Sequence, residues 1–124
     1  MTSHIKNSIP EEACGILLGR IQEDIALVKE IRPMRNITGS ESRFMVDTEE
    51  LYRNLIRAES LGLEMVGIYH SHHMSPHPSS IDRVYMKLNP VVWVIFGLSR
   101  TEIIGIAAYR WLNGKVTEVE LEVE

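Results

Sequence analysis

The stretch Leu63-Glu64-Met65-Val66-Gly67-Ile68-Tyr69-His70-Ser71-His72, with Pro78-Ser79-Ser80-Ile81-Asp82 shortly after it, decides how this chain is read. Its first seven residues are apolar and β-branched enough to predict a strand. Residues i and i+2 of a strand point to the same face, so His70 and His72 can grip one ion together. Asp82 follows ten residues after His72. Two imidazoles and a carboxylate are what a catalytic Zn²⁺ needs when its fourth position stays open for water. A lone His-x-His is more often a chance pairing of surface polar residues. The carboxylate that follows, and the apolar strand that ends here, make this one a candidate hydrolytic zinc site.

A water on such an ion needs a nearby base, and a carboxylate suits the task because zinc already brings the water's pKa to about 7. Glu12, in Pro10-Glu11-Glu12-Ala13-Cys14-Gly15, lies just before the first predicted strand and is the candidate. By itself an acid after a proline is more often a helix start or a surface residue.

The 124 residues predict a single domain over 1–124, with 44% hydrophobic and 24% charged residues in an ordinary globular mix. A net charge of −4 disfavours nucleic-acid binding, which calls for a basic stripe. The longest apolar run, Val91 to Leu98, is far too short to span a membrane. Met1 to Lys6 holds no apolar core of a secretory signal. The single cysteine, Cys14, cannot pair internally, which fits a reducing cytoplasm. Cys14 reads as a buried small hydrophobe rather than a nucleophile.

Outward from the histidine strand, Ile16 to Gly19 and Ile25 to Ile31 predict two strands across Gln22-Glu23-Asp24. Arg32 to Ser42 carries the Pro, Asn and Gly of a loop. Asp47 caps a predicted helix from Thr48 to Ser60, ended by Gly62. Ser79 or Ser80 caps a second helix to about Leu88. Val91 to Phe96 predicts a central strand covered on both faces. Ile103 to Trp111 and Val116 to Val123 form a strand pair across Asn113-Gly114. His73 alternates away from any ion held by His70 and His72, and it reads with His77 as a loop histidine; His4 reads as solvated.

Glu12-x-x-Gly15, His70-x-His72 and Ser79-x-x-Asp82 together resemble the motif of the JAMM (MPN+) zinc metalloproteases. Cys14 to Gly19, Arg43-Phe44 and Val66 to His72 resemble further landmarks of that family, and the likeness runs from about Pro10 to about Trp111. Small bacterial and archaeal members, little more than the catalytic core, look most alike. Two features depart from the pattern. His73 stands where the family commonly has proline, and the step from His72 to Ser79 is one residue short. Aligning Ser80 restores the spacing but leaves one residue before Asp82, whereas Ser79 preserves Pro-Ser-x-x-Asp.

The resemblance implies an α/β fold, a mixed curved sheet with helices on both faces. It implies one Zn²⁺ per chain held by His70, His72 and Asp82, with Glu12 as general base and Ser79 as oxyanion donor. The activity it implies is hydrolysis of the amide after the C-terminal tail of a ubiquitin-like protein. The alternatives are a peptidase that trims a sulfur-carrier protein and a non-catalytic MPN scaffold. Such scaffolds usually lack a motif residue, and here all five are present. Related domains carry a full helix before the Glu12 segment, whereas only Met1 to Ile9 precedes Pro10 here. A truncated helix would leave apolar sheet uncovered, so a homodimer is expected.

Overall fold

The computed structural model describes residues 1–9, 11–34, 48–73 and 76–122. Its elements run α1 (Thr2–Ser8), β1 (Cys14–Gln22), β2 (Ile25–Met34), α2 (Thr48–Ser60), β3 (Glu64–His73), α3 (Ser80–Leu88), β4 (Val92–Leu98), β5 (Ile103–Leu112) and β6 (Lys115–Val119). The six strands form one sheet in the order β2-β1-β3-β4-β5-β6. Among the described strands only β3 and β4 pair in parallel, joined through α3, so the sheet is mixed. Register shifts at Leu18/Gly19 against β2, at Leu17/Leu18 against β3 and at Gly97/Leu98 mark bulges of the kind that bend strands.

Alternation sorts the core onto two faces. Cys14, Ile16 and Leu18 of β1 pack with Ala58 of α2. Trp93 and Ile95 of β4 pack with Met86 of α3. The rungs Ile16↔Ile68 and Ile68↔Trp93 put these two groups on one face. Leu17, Tyr69, Val94 and Phe96 point the other way, onto Ile5 of α1. Helices therefore flank both faces, as the resemblance implied. β4 is buried over nearly its whole length, the mark of a strand covered on both sides.

The helix expected at Thr48 to Ser60 has those bounds, and Gly62 follows it at φ 72°. Both hairpins turn on positive φ, at Glu23 (48°) and Asp24 (67°) and at Asn113 (51°) and Gly114 (80°). At Asp24 and Asn113 the short side chain tolerates the left-handed region.

Four expectations need correction. β2 runs through Pro33 to Met34, because an edge strand can spare a proline's missing N–H. β3 continues through His73, which is thus a strand residue and not a loop one. β6 stops at Val119 and Leu121 is exposed, so in the described part of the alternating tail only Val116 and Val119 pack, half-buried, against the core. His4 is partly buried and not solvated: its Nδ1 lies 2.7 Å from the hydroxyl of the fully buried Tyr69. Pro10, the Arg43-Phe44 landmark, the Asp47 cap, Met74 and Val123 lie outside the described residues.

Gly15 owes its place to a close approach. The Tyr69 ring lies against its α-carbon, and a Cβ there would run into the ring. Gly15→Ala is expected to destabilise the fold by about 1–3 kcal/mol, the usual cost of overpacking. Urea unfolding measures it, and an unchanged midpoint would mean that Tyr69 can move aside freely.

Candidate active site

His70 and His72 emerge from β3 on the face that carries α2 and α3, with Tyr69, Ser71 and His73 directed to the other. His70 is almost completely buried, and the edge of its ring meets Trp93, with centroids 6.0 Å apart. Asp82 comes to the histidines from the first turn of α3. Ser79 is that helix's N-cap: its Oγ accepts from the Asp82 N–H at 3.0 Å, and its own N–H donates to Asp82 Oδ2 at 2.8 Å. The cap thus falls on Ser79, while Ser80 is the first helical residue. This reciprocal pair holds Asp82 with Oδ1 3.2 Å from His70 Nε2 and Oδ2 3.8 Å from His72 Nε2.

Those separations bear on whether the residues suit a metal. Ligand atoms around a tetrahedral Zn²⁺ with bonds near 2.1 Å stand about 3.4 Å apart. The His70–Asp82 distance of 3.2 Å matches that edge, and the His72–Asp82 distance of 3.8 Å is somewhat wider. As the side chains stand, no three His, Cys, Asp or Glu among the described residues close around one point. His72 Nε2 is instead hydrogen-bonded to the His77 carbonyl at 3.0 Å. His77 is itself tied to β5, its Nδ1 lying 3.3 Å from the Tyr109 hydroxyl. The residue types therefore suit Zn²⁺, and the spacing suits it for His70 and Asp82 but less well for His72.

Charge in the site is arranged asymmetrically. Burial pushes the Glu12 carboxyl up to about 7, and the neighbouring negative charge of Asp82 adds to the rise. Burial acts on Asp82 in the same sense, but the hydrogen bond and charge of His70 outweigh it and hold Asp82 below the usual carboxylate range. Desolvation lowers His72, and the charge of His70 lowers it further. One carboxyl is thus kept ionised while the other is poised to carry a proton near neutrality, a division seen at acid–base sites. Cys14 pairs with His70 across the strands, but burial drives its thiol up to about 12, so it stays a thiol. Cys14 is the buried small residue expected of it.

Glu12, His70, His72, Ser79 and Asp82 are thus brought together from the segment before β1, from β3 and from the start of α3. Sequence reasoning missed the roles of Ser71, His77 and Tyr109 around them. Ser71 had a visible signal, a small hydroxyl between two histidines on an apolar strand. The links through the His77 carbonyl and Tyr109 had none, because a backbone acceptor leaves no trace in residue identity.

Residues 1–111 match the family of prokaryotic homologs of the JAB domain. The chain is 35% identical to the desampylase of Pyrococcus furiosus, covering 97% of this chain and 81% of that one. It is 32% identical to the desampylase of Haloferax volcanii, covering 93% and 80%. Among solved structures, a protein from Desulfitobacterium hafniense superposes with a TM-score of 0.80 at 26% identity, covering 98% of this chain and 84% of that chain. A JAB1/MPN domain protein from Archaeoglobus fulgidus superposes with a TM-score of 0.58 at 21% identity, covering 97% and 86%, and shares the fold.

The raised pKa of Glu12 has a consequence for stability in the metal-free protein. Folding lifts this carboxyl from 4.5 to about 7, so between those values the folded state binds the extra proton. Stability from this group is present below 4.5 and lost as pH climbs through about 7. Glu12→Gln abolishes the titration, so the variant should gain on the wild type between pH 5 and pH 8. Urea unfolding at both pH values measures the gap, which is expected to widen in favour of the variant at the higher pH.

Proposed function

The chain belongs to the family of prokaryotic JAB-domain homologs, and on that basis we propose that it is a zinc-dependent isopeptidase acting after the C-terminal tail of a ubiquitin-like protein. The observation that carries this reading is the burial of Glu12 and Asp82 in one site with His70 and His72, a His-His-Asp donor set with a carboxyl beside it. The name desampylase, borne by two relatives, denotes release of ubiquitin-like SAMP modifiers and supports the substrate class.

His70, His72 and Asp82 would hold Zn²⁺, and when bound the ion would supply Lewis acidity and ease deprotonation of a water. To take that role His72 would have to give up its hydrogen bond with the His77 carbonyl. Glu12 takes the proton of the attacking water and delivers it to the leaving amine. A carboxylate can accept that proton and, once protonated, give it to the amine. The Ser79 Oγ accepts the Asp82 N–H and still has its own proton to give. That proton is donated to the oxyanion of the tetrahedral intermediate, so one serine serves as helix cap and as donor. Losing such a donor typically costs on the order of 10²–10³ in rate.

The reading favours an extended, glycine-ended tail. His70 and His72 stand inside the domain, so the scissile bond must be threaded to them, and glycine has no Cβ to meet the walls. Trimming of a sulfur-carrier protein would use the same groups on a similar tail. A non-catalytic scaffold usually lacks a motif residue, and Glu12, His70, His72, Ser79 and Asp82 are all present, which favours the enzyme. On the α1 face Ile21, Val28 and Ile106 stay 57%, 43% and 44% exposed. These exposed apolar residues on the sheet support a homodimer, for which light scattering at micromolar concentration should return twice the chain mass; a monomer would remove the idea.

For the function, Glu12→Gln should keep its zinc, measured by elemental analysis, and lose most turnover. Asp82→Asn should lose zinc, while His73→Ala, on the other side of β3, should retain it. The substrate test is a pair of ubiquitin-like fusions, one with Gly-Gly at the junction and one with bulky residues there. Only the first should be cut; equal cleavage of both would remove the substrate assignment.

A further inference from the structure

Ser71 is fully buried between His70 and His72, and its side chain points to the face opposite the two imidazoles. The paired register of β1 and β3 ends at Cys14↔His70. One step further, Ser71 comes opposite Ala13, and its N–H donates to the Ala13 carbonyl at 2.9 Å. In a regular antiparallel rung the two residues exchange both backbone bonds. Here the return bond is made by a side chain: the Ala13 N–H donates to Ser71 Oγ at 2.9 Å.

That substitution matters because of which peptide the donor belongs to. The Ala13 N–H is part of the planar Glu12–Ala13 peptide unit. Holding that N–H fixes the plane from which the Glu12 chain departs, and Glu12 is itself buried, with its carboxyl in the field of Asp82. A strand carbonyl is locked in direction by the sheet, whereas a hydroxyl can meet the N–H from the Ser71 side chain. The chain thereby leaves the ladder at Ala13 with its donor satisfied inside the core.

We propose that Ser71 is a positioning residue for Glu12, its hydroxyl clasping the Glu12–Ala13 peptide so that the carboxyl stands over the His-His-Asp set. This rests on the reading of Glu12 as the proton carrier. Misplacement of a reacting group by about 1 Å can cost on the order of 10²-fold in rate, so loss of the clasp should lower kcat by ~10–10² while KM and zinc content stay near wild type.

The test compares Ser71→Thr with Ser71→Val. The two side chains have the same shape and both suit a strand, so the difference between them is the hydroxyl and not the packing. Three quantities are measured on each zinc-loaded variant: kcat and KM on a Gly-Gly ubiquitin-like fusion, zinc content, and hydrogen exchange at the Ala13 amide. The expected result is near-wild-type kcat and a protected Ala13 amide for Ser71→Thr. Ser71→Val should show the kcat loss, faster Ala13 exchange and retained zinc. Equal kcat in the two variants would overturn the proposal. So would a zinc loss in Ser71→Val as steep as the activity loss, which would mean that the hydroxyl serves the ligands. A wild-type protein with no hydrolytic activity at all would instead sink the proposed function, and the catalytic meaning of the clasp with it.

Discussion

Strand β3 must satisfy both faces of the sheet at once, and most of the structure depends on that alternation. It is the inner strand at which the antiparallel half of the sheet meets the parallel pair with β4. His70 and His72 point to the side of α2 and α3, where α3 brings Asp82. Tyr69 and Ser71 point to the other side, where Tyr69 meets α1 through His4 and Ser71 meets the segment carrying Glu12. A slip of one residue would exchange the two sets and leave imidazoles where the apolar core belongs. The register is guarded by Gly15, which has room for the Tyr69 ring because it lacks a side chain.

The two carboxyls of the site illustrate how burial alone does not set charge. Glu12 and Asp82 are each 5% exposed. Asp82 has His70 and the Ser79 cap as partners, and these hold it ionised despite desolvation. Glu12 faces burial and the negative charge of Asp82, and both push it up to about 7. The capping box therefore does more than begin a helix. After His70, it helps keep Asp82 charged, and that charge adds to the rise that burial gives Glu12, so a local feature of α3 contributes to the state of a group from the other end of the chain.

The short passage between His73 and Ser79 explains the present aim of His72. Pro76 lies against Gly105 and His77 reaches Tyr109, so the described part of this segment is seated on β5. From there the His77 carbonyl meets His72 Nε2. A segment one residue shorter than the family pattern thus comes with a backbone carbonyl hydrogen-bonded to the His72 ring, and any ion proposed to bind there would have to compete with it.

Much of this was legible in the chain itself. Period-two patterning located most of the strands, helical spacing and Gly62 bounded α2, and Asn113-Gly114 marked the hairpin before β6, because these depend on interactions between near neighbours. The spacing of His70, His72, Ser79 and Asp82 identified the candidate site for the same reason, since a strand and a helix start translate separation along the chain into a shared direction. What only the tertiary structure decided is everything that crosses between elements. The partly buried state of His4 follows from Tyr69 lying beneath it, the reach of β3 to His73 from its pairing with Leu98, and the clasp of Ser71 on Ala13 from two strands meeting. Desolvation and the field of a distant carboxylate are properties of assembled surroundings. Residue types name the groups that can respond to them, and only packing determines which ones do.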